Sequence, residues 1–248
     1  MYLVLSPAKR LHTVSVPKEG TNPVFWSESR TLAQRVQELT TTDLESLMKI
    51  SSKLSTLNHD RFQNFSMEDI SGTPAIQTFA GDTFVGMDSL TLEDEDIRWA
   101  QSRVGILSGL YGVLRPLDRI EPYRLEMGTK LKTTKGKDLY GYWGDAVQKE
   151  VAKRVQASQF PTLVNLASVE YFNVLKGIGV PVINPVFKEE KNGAYKIIAL
   201  KAKRARGSMA RFAIDKRLDN PQDLKRFDYG GYAFSPDHSD EQNWVFLR

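Results

Sequence analysis

The chain contains no cysteine. That single absence excludes disulfides, thiol catalysis, iron–sulfur ligation and every zinc site built on cysteine. Histidine is scarce as well: His12, His59 and His238 are the full set, far apart and in no metal-ligand spacing. The run His238-Ser239-Asp240-Glu241 reads as a polar surface loop rather than a cation site. No metal and no cofactor are therefore expected. No apolar run approaches the roughly 20 residues that a membrane helix needs. The opening Met1-Tyr2-Leu3-Val4-Leu5-Ser6-Pro7 has no basic flank and too short an apolar core for a signal segment. It reads as a first β-strand, and the expected location is the cytoplasm. Repeats, low-complexity tracts and Pro/Gly/Ser linkers are missing too, so residues 1–248 are expected to form a single compact domain. Absent as well are the Gly-x-Ser-x-Gly elbow, the Gly-Lys-Ser/Thr phosphate loop and the Gly-x-Gly-x-x-Gly fingerprint. The usual nucleotide enzymes are poor candidates.

What is present is ordinary in amount and uneven in placement. Apolar residues make up 41% and charged residues 26%, enough for a sizeable core in a soluble protein. The net charge of +4 does not by itself imply a nucleic-acid partner. Its distribution says more. Between Lys196 and Arg217 lie Lys201, Lys203, Arg204, Arg206, Arg211 and Lys216, with Asp215 the only acid, whereas Glu93-Asp94-Glu95-Asp96 is an acidic block. One positive face is expected, the first sign of a nucleic-acid binder.

Periodicity gives a coarse map. Ser6 to Asn22 reads as loop, and Ser27 as the cap of a helix carrying Leu32, Val36 and Leu39. Thr42-Asp43-Leu44-Glu45 fits a capping box, and Leu54, Leu57, Phe62 and Phe65 suggest a second helical stripe. Ala75 to Phe79 reads as a short strand, and Thr91-Leu92-Glu93-Asp94 as a helix start. A helix is expected from near Lys137 or Asp138 through Val155, then a strand at Thr162–Leu166 and a helix from Ser168 to Leu175. Asn192-Gly193 should join strands Pro181–Phe187 and Tyr195–Leu200 in a hairpin, followed by a helix over Lys203–Leu218. Asn220-Pro221 should cap a shorter helix, and strands at Tyr232–Phe234 and Trp244–Leu247 close the chain. The fold class is α/β mixed (α+β), a central mixed β-sheet surrounded by helices.

Three stretches can carry chemistry. From Gly105 to Gly128, closely spaced glycines give way to Arg115, Arg119 and Arg124. Glycine lets a backbone approach an anion, and arginine supplies forked donors for it; a buried turn with solvated charges is the other reading. Ser6-Pro7-Ala8-Lys9 and Asn165-Leu166-Ala167-Ser168-Val169-Glu170-Tyr171 both leave the ends of strands, where α/β sheets border ligand crevices. Lys9, Asn165, Ser168 and Glu170 could thus form an enzyme pocket for a nucleic-acid base or a nucleotide-like molecule, with Lys9 and Glu170 as an acid/base or Schiff-base pair. A helix cap plus an ion pair explains the same residues. Third, Lys201 through Arg211 places cations near a helix start, where they oppose the dipole unless an anion is close. Phosphate contacts of this kind position a protein without reading base sequence.

Taken in order, Ser6-Pro7-Ala8-Lys9, Leu107 through Asp118, Pro122 through Gly128, Lys137-Asp138-Leu139-Tyr140 with Trp143-Gly144, Asn165-Leu166-Ala167-Ser168 with Glu170-Tyr171, and Lys203 through Gly207 resemble the YaaA family of peroxide stress proteins, the UPF0246 group. The resemblance runs over essentially the whole chain. It implies a β-sheet core under a helical rind, a positive cleft, and a helix-hairpin-helix element, which falls here on Gly109 to Gly112. It further implies DNA binding, protection against hydrogen peroxide and restraint of intracellular iron; with the phosphate contacts read above, the DNA binding is expected to have little sequence preference. On that basis Lys9, Gly109, Gly112, Arg115, Arg124, Lys201, Lys203, Arg204, Arg206 and Arg211 are the expected DNA contacts.

Overall fold

A computed structural model describes residues 1–12, 20–68 and 72–248. Its strands are β1 (Tyr2–Leu5), β2 (Thr73–Pro74), β3 (Val104–Ser108), β4 (Gly112–Leu114), β5 (Arg119–Ile120), β6 (Leu163–Leu166), β7 (Val182–Lys191), β8 (Ala194–Lys196), β9 (Ala233–Phe234) and β10 (Asn243–Leu247). The main sheet has the order β4-β3-β1-β6-β7-β10-β9, with β8 paired to β7; β2 and β5 form a small separate ribbon. From β3 to β10 all neighbours along this order are parallel, and antiparallel β4 and β9 close the two edges. Leu3 of β1 sits opposite both Val104 and Val164, so β1 is an interior strand paired on both sides. Every residue of β1 and β3 is buried, as expected of parallel strands covered on both faces. In β7, by contrast, Ile183, Pro185 and Phe187 alternate inward, the period of a strand with one open face. The mixed sheet wrapped by helices is what the pattern predicted.

The helices are α1 (Trp26–Gln37), α2 (Thr41–Met48), α3 (Ser52–Gln63), α4 (Ala75–Thr78), α5 (Asp82–Met87), α6 (Asp94–Ala100), α7 (Leu139–Trp143), α8 (Ala146–Gln156), α9 (Val169–Phe172) and α10 (Ala199–Asp215). Their ends follow local chemistry that the pattern placed only approximately. The capping box expected at Thr42 and Glu45 is formed instead by Thr40 and Asp43, whose side chains each bond the other's backbone N–H. Likewise α6 is boxed by Glu93 and Asp96 rather than started at Thr91. The helix expected from Lys137 onward is two, because Gly144 ends α7 at φ 50°. Asn220 accepts from the Gln222 N–H at 3.0 Å, but the turn it caps is a short 3₁₀ segment.

Larger differences have equally physical causes. Ala75 to Phe79 is not a strand: Pro74 opens one helical turn, closed by Thr78 Oγ1 donating to the Pro74 carbonyl at 2.8 Å. Leu54 and Leu57 face solvent, and the buried row of α3 is Ser55, Asn58 and Phe62. Ser55 can go inward because its hydroxyl donates to the Thr41 carbonyl, and Asn58 because its amide donates to the Leu54 carbonyl. The Asn192-Gly193 hairpin is present, with both residues at positive φ. Its second strand stops at Lys196, so α10 begins at Ala199. Of the expected Ser6–Asn22 loop, residues 13–19 lie outside the described residues. Gly109 to Gly112 is the turn of a β-hairpin between β3 and β4, flanked by strands and not by helices. Among the described residues no helix is long and apolar enough to cross a membrane.

Among the buried side-chain groups that lack a hydrogen-bond partner, one is a tyrosine hydroxyl. The Tyr2 hydroxyl lies against Gly105, has no hydrogen-bond partner among the described residues, and is held protonated by burial. An unpaired buried hydroxyl costs stability. Tyr2→Phe is therefore expected to be neutral or stabilising by up to about 1 kcal/mol, read as an unchanged or higher urea midpoint. A lower midpoint would mean the hydroxyl has a partner.

Candidate anion-binding cleft

The chain leaves β1 toward β3 on one side of the sheet, while β6 joins the other side. Between the carboxyl ends of β1 and β6 lies such a switch in strand order, the place where open α/β sheets hold ligands. A cleft of about 490 Å³ opens there. The two strand ends are tied across it: Ser168 N–H donates to Ser6 Oγ at 2.8 Å, and the two hydroxyls lie 3.3 Å apart. The segment Tyr123–Glu126 forms another wall, and Gly81–Thr83 with Lys203 and Arg206 of α10 a third.

Where α10 meets this wall, a glycine on each helix lets the backbones touch. Gly86 of α5 lies against the Arg204 carbonyl, and Gly207 of α10 against Thr83 and Met87 backbone atoms. This backbone-to-backbone crossing brings Lys203 and Arg206 beside Asp82 and Thr83. Ser208 reinforces it, donating to the Gly86 carbonyl at 3.0 Å.

The cleft mixes charges, yet its acids are already engaged. Glu126 takes Lys9 Nζ at 2.7 Å on one oxygen and Arg124 Nη2 at 3.2 Å on the other. Glu170 accepts the Gly128 N–H at 3.0 Å, and Asp82 takes Arg204 Nε at 3.4 Å. Arg10, Lys203 and Arg206 line the same cleft with no acid among the described residues within ion-pair reach. Burial pulls the Arg206 pKa down, the mark of a desolvated cation. It pushes the Tyr123 and Tyr171 hydroxyls up, so both are neutral hydrogen-bonding groups.

The structure sorts the residues that the sequence nominated. Lys9, Arg124, Ser168, Glu170, Lys203 and Arg206 share the cleft. Lys9 does not pair with Glu170 there; Glu126 is its partner. Asn165 is outside, its amide donating to Asn184 Oδ1 at 2.9 Å and its oxygen accepting the Ala167 N–H at 3.0 Å. Lys201 and Arg204 are exposed but do not line the cleft. Arg211 is bound to Asp215 at 2.7 Å and to Thr91 and the Asp88 carbonyl, all on this chain. Arg115 is spent on buried Asp118 at 2.7 Å. Gly109 and Gly112 are buried, with the Gly109 carbonyl taking the Trp143 indole N–H at 3.0 Å, so neither backbone is open to a phosphate. Sequence reasoning passed over Arg10, Asp82 and Glu126. The Arg124-x-Glu126 spacing was the available signal for the last.

Fold and cleft together define a mixed α/β protein with a cation-rich cleft at a strand-order switch. The family model described as peroxide stress protein YaaA matches residues 1–238. A UPF0246 protein of Cupriavidus metallidurans is 48% identical over 258 residues, spanning all of this chain and 98% of its own. UPF0246 proteins of Ralstonia nicotianae and Cereibacter sphaeroides are 47% and 46% identical, each over all of this chain and 99% of theirs. The chain belongs to the YaaA (UPF0246) family of peroxide stress proteins.

Proposed function

We propose that this protein acts in the cytoplasm during hydrogen peroxide stress by binding DNA through phosphate contacts at the cleft, with little sequence preference. The observation that carries this reading is the charge balance just described: the cleft acids have partners, whereas Arg10, Lys203 and Arg206 have none among the described residues and stand ready for an external anion. Lysine and arginine contacts of this kind grip the backbone without reading bases. The stress role is supported by the family description, and the limiting of iron-dependent damage by the family resemblance.

Affinity measured against salt tests it. Lys203→Gln with Arg206→Gln is expected to weaken unrelated duplexes alike and to reduce the slope of log affinity on log salt by up to about 0.9 per lost contact. The same double variant should lower survival of peroxide in cells that depend on this protein. Arg211→Gln is the control: its partners are internal, so the slope should stay as in the wild type. An unchanged slope in the double variant would return these side chains to the category of solvated charge.

A further inference from the structure

A cleft of about 490 Å³ cannot enclose a stretch of duplex, whose backbone can only lie across its mouth. One turn of duplex is about 34 Å long, and a space in the range of roughly 300–1,000 Å³ holds a single small organic ligand. Its lining also divides by chemistry. Arg206 and Lys203, one turn apart on α10, supply cations with no ion-pair partner among the described residues. Val169 supplies open apolar surface, with buried Leu125, Leu166 and Tyr171 behind it. Val169 is 78% exposed, the most open large apolar side chain among the described residues, although it borders this cleft. A purely ionic phosphate groove has no use for such a surface. Bare surface of this sort is covered when a ligand with an apolar or aromatic body sits against it.

We propose that the cleft holds one nucleoside monophosphate unit, its phosphate on Arg206 and Lys203 and its base against Val169 and Tyr171. The inference rests on the nucleic-acid reading above and adds to it a discrete site for one nucleotide. The unit can come from a free nucleotide or from a strand that turns one nucleotide out of its stack, as proteins that bind extruded bases do. Burial gives Arg206 the low-dielectric surroundings in which a charge-assisted hydrogen bond to phosphate is strong. Val169 offers surface that any base can use, because every base has a flat apolar face, and Tyr171 lines the cleft beside it.

Calorimetric titration of the full chain with dAMP, deoxyadenosine and inorganic phosphate tests this directly. The expected result is dAMP binding at least about tenfold more tightly than inorganic phosphate, the difference being the contribution of the base. Arg206→Gln should weaken dAMP by about tenfold to a hundredfold, and Arg206→Lys should recover part of the loss. Val169→Ser, at an exposed position that cannot disturb the core, should weaken dAMP by about fivefold to tenfold while leaving inorganic phosphate unchanged. Saturation-transfer spectra should show signal on the adenine protons.

Equal affinity for dAMP and phosphate, or dAMP binding untouched by both Arg206→Gln and Val169→Ser, would overturn the site. Competition with a short single-stranded oligonucleotide separates the sources. Displacement of dAMP assigns the unit to a strand, and failure to displace it assigns the site to a free nucleotide. Duplex affinity measured on the same sample keeps the two readings apart. Duplex binding without dAMP binding removes this subsite alone, and dAMP binding without duplex binding removes the backbone reading alone.

Discussion

Replacing Gly207 by alanine should cost about 3 kcal/mol and lower the melting temperature by roughly 6–12 °C. On helix propensity alone the same change ought to help, since alanine is favoured over glycine by about 1 kcal/mol in a helix interior. Packing reverses the sign. A Cβ at Gly207 would lie inside the van der Waals surface of the Thr83 carbonyl and within 2.8 Å of the Met87 nitrogen. These are backbone atoms, which have no rotamer to move away. Gly86 faces the same crossing from the other helix, where a Cβ would run into the Arg204 carbonyl. Either substitution must therefore push α5 and α10 apart. Once one has done so, the second meets less resistance, so Gly86→Ala and Gly207→Ala together should cost clearly less than the sum of the two. Chemical denaturation of the two single variants and the double variant reads this. Additive losses, or a stable Gly207→Ala protein, would mean the helices do not cross in contact. The crossing also sets the distance from Lys203 and Arg206 to Asp82, so a Gly207→Ala protein should lose ligand binding at temperatures where it is still folded.

That crossing shows why the sequence was readable only in part. The Lys203–Gly207 block could be recognised as basic and helical, because both features are local. Which of its cations face the cleft depends on where the helix begins and which side Gly207 turns toward α5. An α10 beginning at Ala199 rather than Lys203 places Lys203 and Arg206 on one side and leaves Lys201 and Arg204 on another. The strand-end motifs were legible for a similar reason: the end of a parallel strand borders the crevice whatever the details, and Ser6, Lys9, Ser168 and Glu170 all arrive there. Their pairing was not legible. Lys9 finds Glu126, 117 positions away in the chain (126 minus 9), because the Tyr123–Glu126 wall is folded over the end of β1. Short glycine spacing misled for the opposite reason. Gly109 and Gly112 have the look of a backbone opened for a ligand, yet a β-hairpin turn packed under Trp143 needs the same two residues. At Gly112 the need is conformational, with φ at +69°.

Asp118→Ala should be among the most damaging single changes, with an expected loss of about 3–5 kcal/mol. Its carboxylate is fully buried and accepts from Thr21 Oγ1 at 2.6 Å, the Arg115 N–H at 2.7 Å and the Arg115 guanidinium at 2.7 and 3.0 Å. Arg115 continues to the Asn22 carbonyl at 2.9 Å, so this one acid ties the Arg115–Asp118 turn to the segment around Thr21. Removing it strands a half-buried guanidinium and the Thr21 hydroxyl together. Asp118→Asn keeps the shape and one acceptor oxygen, and should lose appreciably less. The comparison also decides the role of Arg115, which the arginine-rich sequence nominated as a phosphate contact. If the side chain is fully committed to Asp118 and Asn22, Arg115→Gln will lower the denaturation midpoint and leave the salt dependence of duplex affinity as in the wild type. A phosphate contact would behave in the reverse way: the slope would fall by up to about 0.9 with little change in stability. The geometry favours the first outcome, because a guanidinium can present only five N–H donors and three of its internal hydrogen bonds, two to Asp118 and one to Asn22, are already made on the side that faces the protein.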